Sequence, residues 1–159
     1  MRKLPCCPSR PQAVSHMRGS DAYPDICGTV QLFQTPCGVL VRAEICGLPH
    51  ENGPCSGRVF GFHIHEGCIC AGDMSDPFSG AMAHYNPCGC EHPQHAGDLP
   101  PLFENCGCAF SVVLTNRFRV SEVIGKTVII HARPDDFTTQ PSGSSGERIA
   151  CGIICASRL

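Results

Sequence analysis

Gly61-Phe62-His63-Ile64-His65-Glu66 sets two imidazoles two residues apart in a stretch that reads as a β-strand. In a strand, side chains at i and i+2 leave the same face, so His63 and His65 point together while Ile64 points away. Two convergent imidazoles are half of a metal site. The same alternation also describes a solvated strand face with Ile64 in the core, so the pair alone leaves both readings open. A second group follows: His84, then His92, His95 and Asp98. Three nitrogens and one carboxylate oxygen satisfy a tetrahedral zinc ion with no position left open, as a structural zinc requires. Pro93 and Gly97 argue against a helix there, which puts these ligands on a loop held by the ion. His131 ends another apolar run, and with His63 and His65 it makes an imidazole-rich set of the kind that suits copper.

The elements that must position these side chains are strands. Tryptophan is absent, Gly and Pro together make 31 residues, and runs of helix-forming residues are scarce, which is an all-β composition. A possible first strand covers 12–18. Gly28 to Phe33 and Val39 to Ile45 alternate as half-buried strands around a turn at Gln34-Thr35-Pro36, a β-meander. Arg58 to Glu66 reads as one strand. From Gly67 to about Pro101 regularity stops, and a structureless stretch of that length inside a compact domain needs something to organise it; a metal would. Strands resume over 109–115, then, after a connection through 120–125, over 127–131. A second irregular loop runs from Asp135 to Glu147, and 148–155 closes the chain. Seven or eight strands with short turns predict a sandwich or Greek-key barrel whose two long loops carry the function.

At 159 residues the chain has room for one domain with a proper core. A net charge of −2 without a basic run gives no reason to expect nucleic acid or an anionic membrane as partner, and no stretch approaches a membrane-spanning length. Residues 1–11, rich in Cys, Pro and basic side chains, read as a disordered or poorly ordered tail ahead of a domain over 12–159. The positive start lacks the apolar segment of a signal peptide, so the expected location is cytoplasmic, or secreted or periplasmic if the true start lies upstream. Fourteen cysteines are then expected to be mostly thiols. Cys88-Gly89-Cys90 and Cys106-Gly107-Cys108 stay open between extra disulfides, a soft-metal site and inert small residues.

Five motifs, taken together and in order, resemble the copper/zinc superoxide dismutases, and their bacterial type in particular. They are Gly-Phe-His-Ile-His-Glu at 61–66, His-Tyr-Asn-Pro at 84–87, His-Ala-Gly-Asp-Leu at 95–99, Gly-Lys-Thr-Val-Ile-Ile-His at 125–131 and Gly-Glu-Arg-Ile-Ala-Cys-Gly at 146–152. The resemblance spans about 12–155, and a joint match is far more specific than any one motif. It implies an eight-stranded Greek-key β-barrel, related to the immunoglobulin-like sandwich, with two long functional loops. It makes His63, His65, His84 and His131 copper ligands, and His84, His92, His95 and Asp98 zinc ligands, with His84 bridging the ions. Arg148 matches the arginine that attracts the anionic substrate, and Asp135 the carboxylate linking a copper histidine to a zinc histidine. It further implies a disulfide from the first long loop to Cys151; both Cys68 and Cys70 are available, and the resemblance favours Cys70, five residues after His65 as in the bacterial members.

The activity implied is disproportionation of superoxide to dioxygen and hydrogen peroxide, with copper cycling between oxidation states and zinc supporting the bridging histidine. Catalytic roles fall to His84 and Arg148. Members of the family are commonly dimers, through different surfaces in bacterial and eukaryotic types, and some are monomers, which leaves a homodimer as an open arrangement. The rival reading is a related domain that buffers or delivers copper and zinc without catalysis. Such a domain usually lacks a copper ligand or the arginine, and this chain has both. A copper-only enzyme is disfavoured by the presence of His92, His95 and Asp98.

Overall fold

In the computed structural model of the chain, which describes residues 9–53 and 56–157, the segments form nine antiparallel strands, one short α-helix and one turn of 3-10 helix (Ser79–Ala81). β1 (Ala13–Gly19), β2 (Cys27–Thr35) and β3 (Gly38–Cys46) make the expected meander. Thr35 pairs with Gly38, so the β2–β3 turn is only Pro36-Cys37. Val30 and Leu32 on β2, and Val39, Val41, Ala43 and Ile45 on β3, face the core, while the residues between them face out. That is the period of two that the sequence displays.

The stretch read as one strand, Arg58 to Glu66, is two. β4 (Val59–Phe60) and β5 (Phe62–His65) are split at Gly61, whose N–H donates to the Arg133 carbonyl (2.8 Å) and whose carbonyl accepts from His131 N–H (2.9 Å). β4 then leaves to pair with β6 (Leu102–Phe103), which lies just past the end of the stretch expected to be irregular. β7 (Ala109–Thr115), the one-turn helix α1 (Val120–Val123), β8 (Thr127–His131) and β9 (Arg148–Ala156) follow. The larger sheet runs β5-β8-β9-β1-β2-β3-β7, and β4-β6 forms a small second one. β4 leads directly into one edge strand, β5, and β6 leads through a hairpin into the other, β7, so the curled sheet has its two edges joined by the small ribbon. The all-β expectation holds; the expected eight strands become nine short ones because a two-residue ribbon carries no readable period.

β5 and β8 are buried on both faces. Inward, Phe62, Ile64, Val128 and Ile130 join the main core with Phe60, Ile149 and Ile154. Outward, Ile129 packs with Phe78, Ala81 and Cys151 under the first long loop, beside Cys70. The solvated-face reading of His63 and His65 is thereby excluded: the loop covers that face. Of the expected tail, residues 1–8 lie outside the described residues. No helix among the described residues is long and apolar enough to cross a membrane.

Candidate metal centre

His63 and His65 sit on β5, an edge strand, and backbone bonds carry the first long loop alongside it. Ile64 N–H donates to Gly97 O (2.9 Å), Tyr85 N–H to Ile64 O (2.8 Å) and Gly97 N–H to Tyr85 O (2.8 Å). These bonds place His84 opposite His65 and Asp98 opposite His63. The β5 edge of the sheet is thus covered by the chain's own loop, and the backbone groups of the loop in these bonds are satisfied without regular structure. His131 arrives from the end of β8. Between Ile130 and His131 the β8–β9 register shifts, so that His131 faces Arg148 across the ladder. A bulge of this kind re-aims side chains at a sheet end, and here it turns both residues toward the loop.

The result is two clusters whose ligand atoms lie within 4.8 Å of one another: His63, His65, His84 and His131, and His84, His92, His95 and Asp98. His84 belongs to both. All seven side chains are buried.

The partners of each ring show which nitrogen is left for an ion. His65 Nδ1–H donates to the Met82 carbonyl (2.9 Å) and His131 Nδ1–H to the Gly146 carbonyl (3.1 Å). Carbonyls only accept, so both Nε2 atoms are bare lone pairs, and they face each other at 3.2 Å. Two lone pairs cannot bond each other; a cation between them resolves the clash. The Asp135 carboxylate receives Nε2–H of His63 on Oδ2 (2.7 Å) and Nε2–H of His92 on Oδ1 (2.8 Å). That fixes both rings with Nδ1 unprotonated and facing the clusters. Nδ1 of His63, Nε2 of His84, and Nδ1 of His92 and His95 are all buried without a hydrogen-bond partner. Orphaned buried nitrogens are costly unless a ligand takes them up. Around Asp98, Nδ1 of His84, His92 and His95 stand 2.8, 3.0 and 3.3 Å from a carboxylate oxygen, as co-ligands of one ion do. The residues present fit two metal ions.

Electrostatics keep these groups in their ligating forms. Burial lowers His63, against the pull of Asp135, and holds His65 well below its ordinary value. Burial, then the neighbouring His63, push His131 down to about 3. Burial raises Asp135, but the hydrogen bonds from His63, Phe137 N–H and His92 outweigh it and hold the carboxyl well below the usual range. Asp98 is lowered in the same way, with burial opposed by His84 and its neighbours. At neutral pH His63, His65 and His131 are therefore neutral, and Asp98 and Asp135 ionised.

Several supporting groups left no signal in the sequence. Gln140 clasps His92 from the second loop, accepting from its N–H (3.0 Å) and donating to its carbonyl (2.7 Å). Arg117, in the connection after β7, gathers the carbonyls of Pro93, His95 and Asp98 with one nitrogen at 3.0–3.2 Å. Gly143 has φ +69°, and a Cβ there would stand 2.0 Å from Asp135 Oδ1 and 2.7 Å from His92 Nε2. Only glycine lets the second loop close over that bond.

A cleft of about 730 Å³ opens over the four-histidine cluster, lined by His65, His84, His131 and Arg148 among others. Arg148 donates Nη1–H to Asp76 Oδ2 (2.5 Å) and to the Phe78 carbonyl (3.2 Å), and Nη2–H to the Met82 carbonyl (2.7 Å). The Met82 carbonyl therefore orients both His65 and Arg148. The Asp76 partner was not foreseen. Cys70 and Cys151 are joined in a disulfide with Cα atoms 5.7 Å apart, and Cys68 is a free, exposed thiol. The bond ties the loop segment bearing Asp76, Phe78 and Met82 to β9, the strand that begins with Arg148.

Comparison with known proteins now meets this geometry. The family model described as copper/zinc superoxide dismutase matches residues 26–154. The chain belongs to the copper/zinc superoxide dismutase family. Among curated proteins it is 32% identical over 146 residues to "Superoxide dismutase [Cu-Zn] 2" of Aquifex aeolicus, covering 82% of this chain and 80% of that one. It is 35% identical over 135 residues to "Superoxide dismutase [Cu-Zn]" of Legionella pneumophila, with 80% and 76% covered. The corresponding protein of Photobacterium leiognathi is 34% identical over 144 residues, with 80% and 78% covered.

Proposed function

We propose that the protein is a copper/zinc superoxide dismutase, with copper held by His63, His65, His84 and His131 and zinc by His84, His92, His95 and Asp98. The observation that carries this reading is that Arg148 lines the cleft that opens over the four-histidine cluster. A metal store has no need of a fixed guanidinium there; an enzyme acting on a small anion does. When bound, copper supplies reversible one-electron transfer and zinc a fixed positive charge without redox chemistry, so that two superoxide ions and two protons become dioxygen and hydrogen peroxide.

The chain's own residues do the rest. Arg148 is held by two carbonyls and Asp76, so its remaining donors are pre-aimed at an anion arriving beside His65 and His131. His84 Nδ1 stays with the Asp98 cluster while Nε2 faces the other one, so Nε2 is the atom that takes up a proton and delivers it to the nascent peroxide. Burial of the surrounding rings excludes competing water, and Asp135 keeps His63 in the ligating tautomer throughout. Relatives carry the name superoxide dismutase, which supports the assignment.

Metal content and dismutase activity, measured together on the wild type, His131→Ala and Arg148→Ala, test it. We expect one copper and one zinc per active chain, loss of copper and activity in His131→Ala, and retained metal with activity reduced by roughly tenfold or more in Arg148→Ala. A fully loaded wild type without activity would sink the proposal.

A further inference from the structure

Outside the metal centre, three exposed thiols form a row across one end of the large sheet. Cys27 at the start of β2 pairs directly with Cys46 at the end of β3. The β3–β7 register, Ile45 opposite Ala109, carries one step further to set Cys46 opposite Cys108. Ile45 and Ala109 face the core, so the cysteines beside them face out, and all three are exposed.

The two pairings are not equivalent. Cys108 spends both backbone groups on the hairpin that leads into β7: its N–H donates to Asn105 O (3.0 Å) and its carbonyl accepts from Asn105 N–H (2.7 Å). Both groups therefore point away from β3, and Cys46 with Cys108 is a non-hydrogen-bonded pair, the class whose Cα atoms approach to about 4.5 Å. That is inside the range a disulfide spans, about 4.4–6.8 Å. Cys46 consequently turns its own backbone toward β2, and Cys27 is the wider neighbour. The neighbouring Cys108 thiol first, then burial and the nearby Cys27, hold the Cys46 thiol above its ordinary value. A row also cannot close round one ion: three strands about 4.8 Å apart put its ends about 10 Å from each other, whereas sulfurs on one zinc lie within about 4.6 Å.

We propose that Cys46 and Cys108 are an oxidation site, a dithiol that hydrogen peroxide closes into a cross-strand disulfide while Cys27 remains a thiol. The thiolate of one cysteine attacks a peroxide oxygen, displacing hydroxide and forming a sulfenic acid. The neighbouring thiol attacks that sulfur, the S–O bond breaks, and water leaves. In sum, two thiols and one H₂O₂ give one disulfide and two waters; the sulfurs lose the two electrons that the peroxide oxygens gain. That the protein makes its own peroxide rests on the dismutase reading above; the closure itself does not. The bond would fasten β7, an edge strand, to β3.

The test is to add hydrogen peroxide to the full-length protein, alkylate the remaining thiols, and map linked peptides with and without prior reduction. The expected result is the loss of two alkylatable thiols per chain and a peptide pair joining Cys46 to Cys108, reversed by dithiothreitol. The pair should be absent from Cys46→Ser and Cys108→Ser, present in Cys27→Ser, and formed faster as pH rises and the thiolate is populated. Peroxide-treated chains in which Cys46 and Cys108 stay alkylatable, or in which Cys46 is joined to Cys27, overturn the proposal. Because peroxide is supplied as a reagent, a dismutase assay on the same preparation reads the enzymatic assignment separately, and either can fail alone.

Discussion

At the scale of single residues, the centre depends on which atom of each ring is left bare, and that is decided by groups that are not themselves ligands. Asp135 is the clearest case, since one carboxylate accepts from both His63 and His92. An amide in its place accepts on one side only and turns a donor toward the other ring. Asp135→Asn is therefore expected to weaken retention of both ions, by roughly 10- to 100-fold in affinity, measured by competition with a chelator. Asp76 acts in the opposite sense. It partly neutralises Arg148, and its own side chain is 38% exposed at the cleft. In Asp76→Asn the guanidinium keeps its two carbonyl partners and gains in net positive field, so the second-order rate constant should rise roughly two- to fivefold at low salt and fall more steeply as salt is added. A rate that drops at all ionic strengths would show instead that Asp76 mainly positions Arg148. The seven ligating-type residues stand out in the sequence as imidazole and carboxylate side chains at short spacings, whereas Arg148 and Asp135 are visible only through the family resemblance. Asp76 and Met82 were not legible: an acidic residue in a polar loop looks solvated, and a backbone carbonyl looks the same at every residue.

At the scale of elements, the two loops are irregular in conformation yet fixed in position. The first is held to β5 by backbone bonds and gathered by Arg117. Arg117→Ala removes three charge-assisted hydrogen bonds to carbonyls flanking His95 and Asp98. The expectation is a loss of roughly tenfold in zinc affinity with copper-set geometry unchanged, read by zinc titration beside the copper absorption spectrum. The second loop is shaped by Asp136, whose carboxylate accepts from the N–H groups of Thr138 and Thr139 and from both hydroxyls. Thr139, then Thr138, lower its pKa from 3.8 to about 2. A carboxylate depressed in the folded state stabilises it above the unfolded pKa and ceases to do so as pH falls through the folded one. Amide protection at Thr138 and Thr139 should therefore decline between about pH 4 and 2, and be lost throughout that range in Asp136→Ala. The strands themselves were readable from their alternation. The split at Gly61, the β4–β6 ribbon and the bulge before His131 were not, because each depends on a partner distant in the chain rather than on a local period.

At the scale of the whole molecule, a barrel with ordinary inward alternation carries a set of buried ring nitrogens that have no hydrogen-bond partner among the described residues. The metal-free chain thus holds an internal liability that metal removes. Stripping both ions with a chelator is expected to lower the melting temperature by roughly 5–10 °C or more, given about 2.7 kcal/mol for a single site at 100-fold excess over its dissociation constant. Scanning calorimetry before and after readdition checks it; a melting temperature indifferent to metal would mean that water occupies the clusters instead. The family was visible in the order of five motifs, because each motif pairs a ligand with the glycine, aromatic or apolar neighbours that its strand or loop needs. The nine free cysteines among the described residues answered to no such pattern. Their grouping emerges only from strand register, which brings residues 27, 46 and 108 level across three strands.

The sharing of Asp135 and His84 between the two clusters has a thermodynamic corollary. A group that must be ordered for either ion has its ordering free energy spent once, so the second ion finds its ligands already arranged. Filling either cluster is then expected to raise affinity at the other, and by reciprocity the factor is the same in both directions. A double titration with copper and zinc reads that coupling free energy directly, and it is expected to be smaller in Asp135→Asn; independent binding of the two ions to the wild type would contradict it.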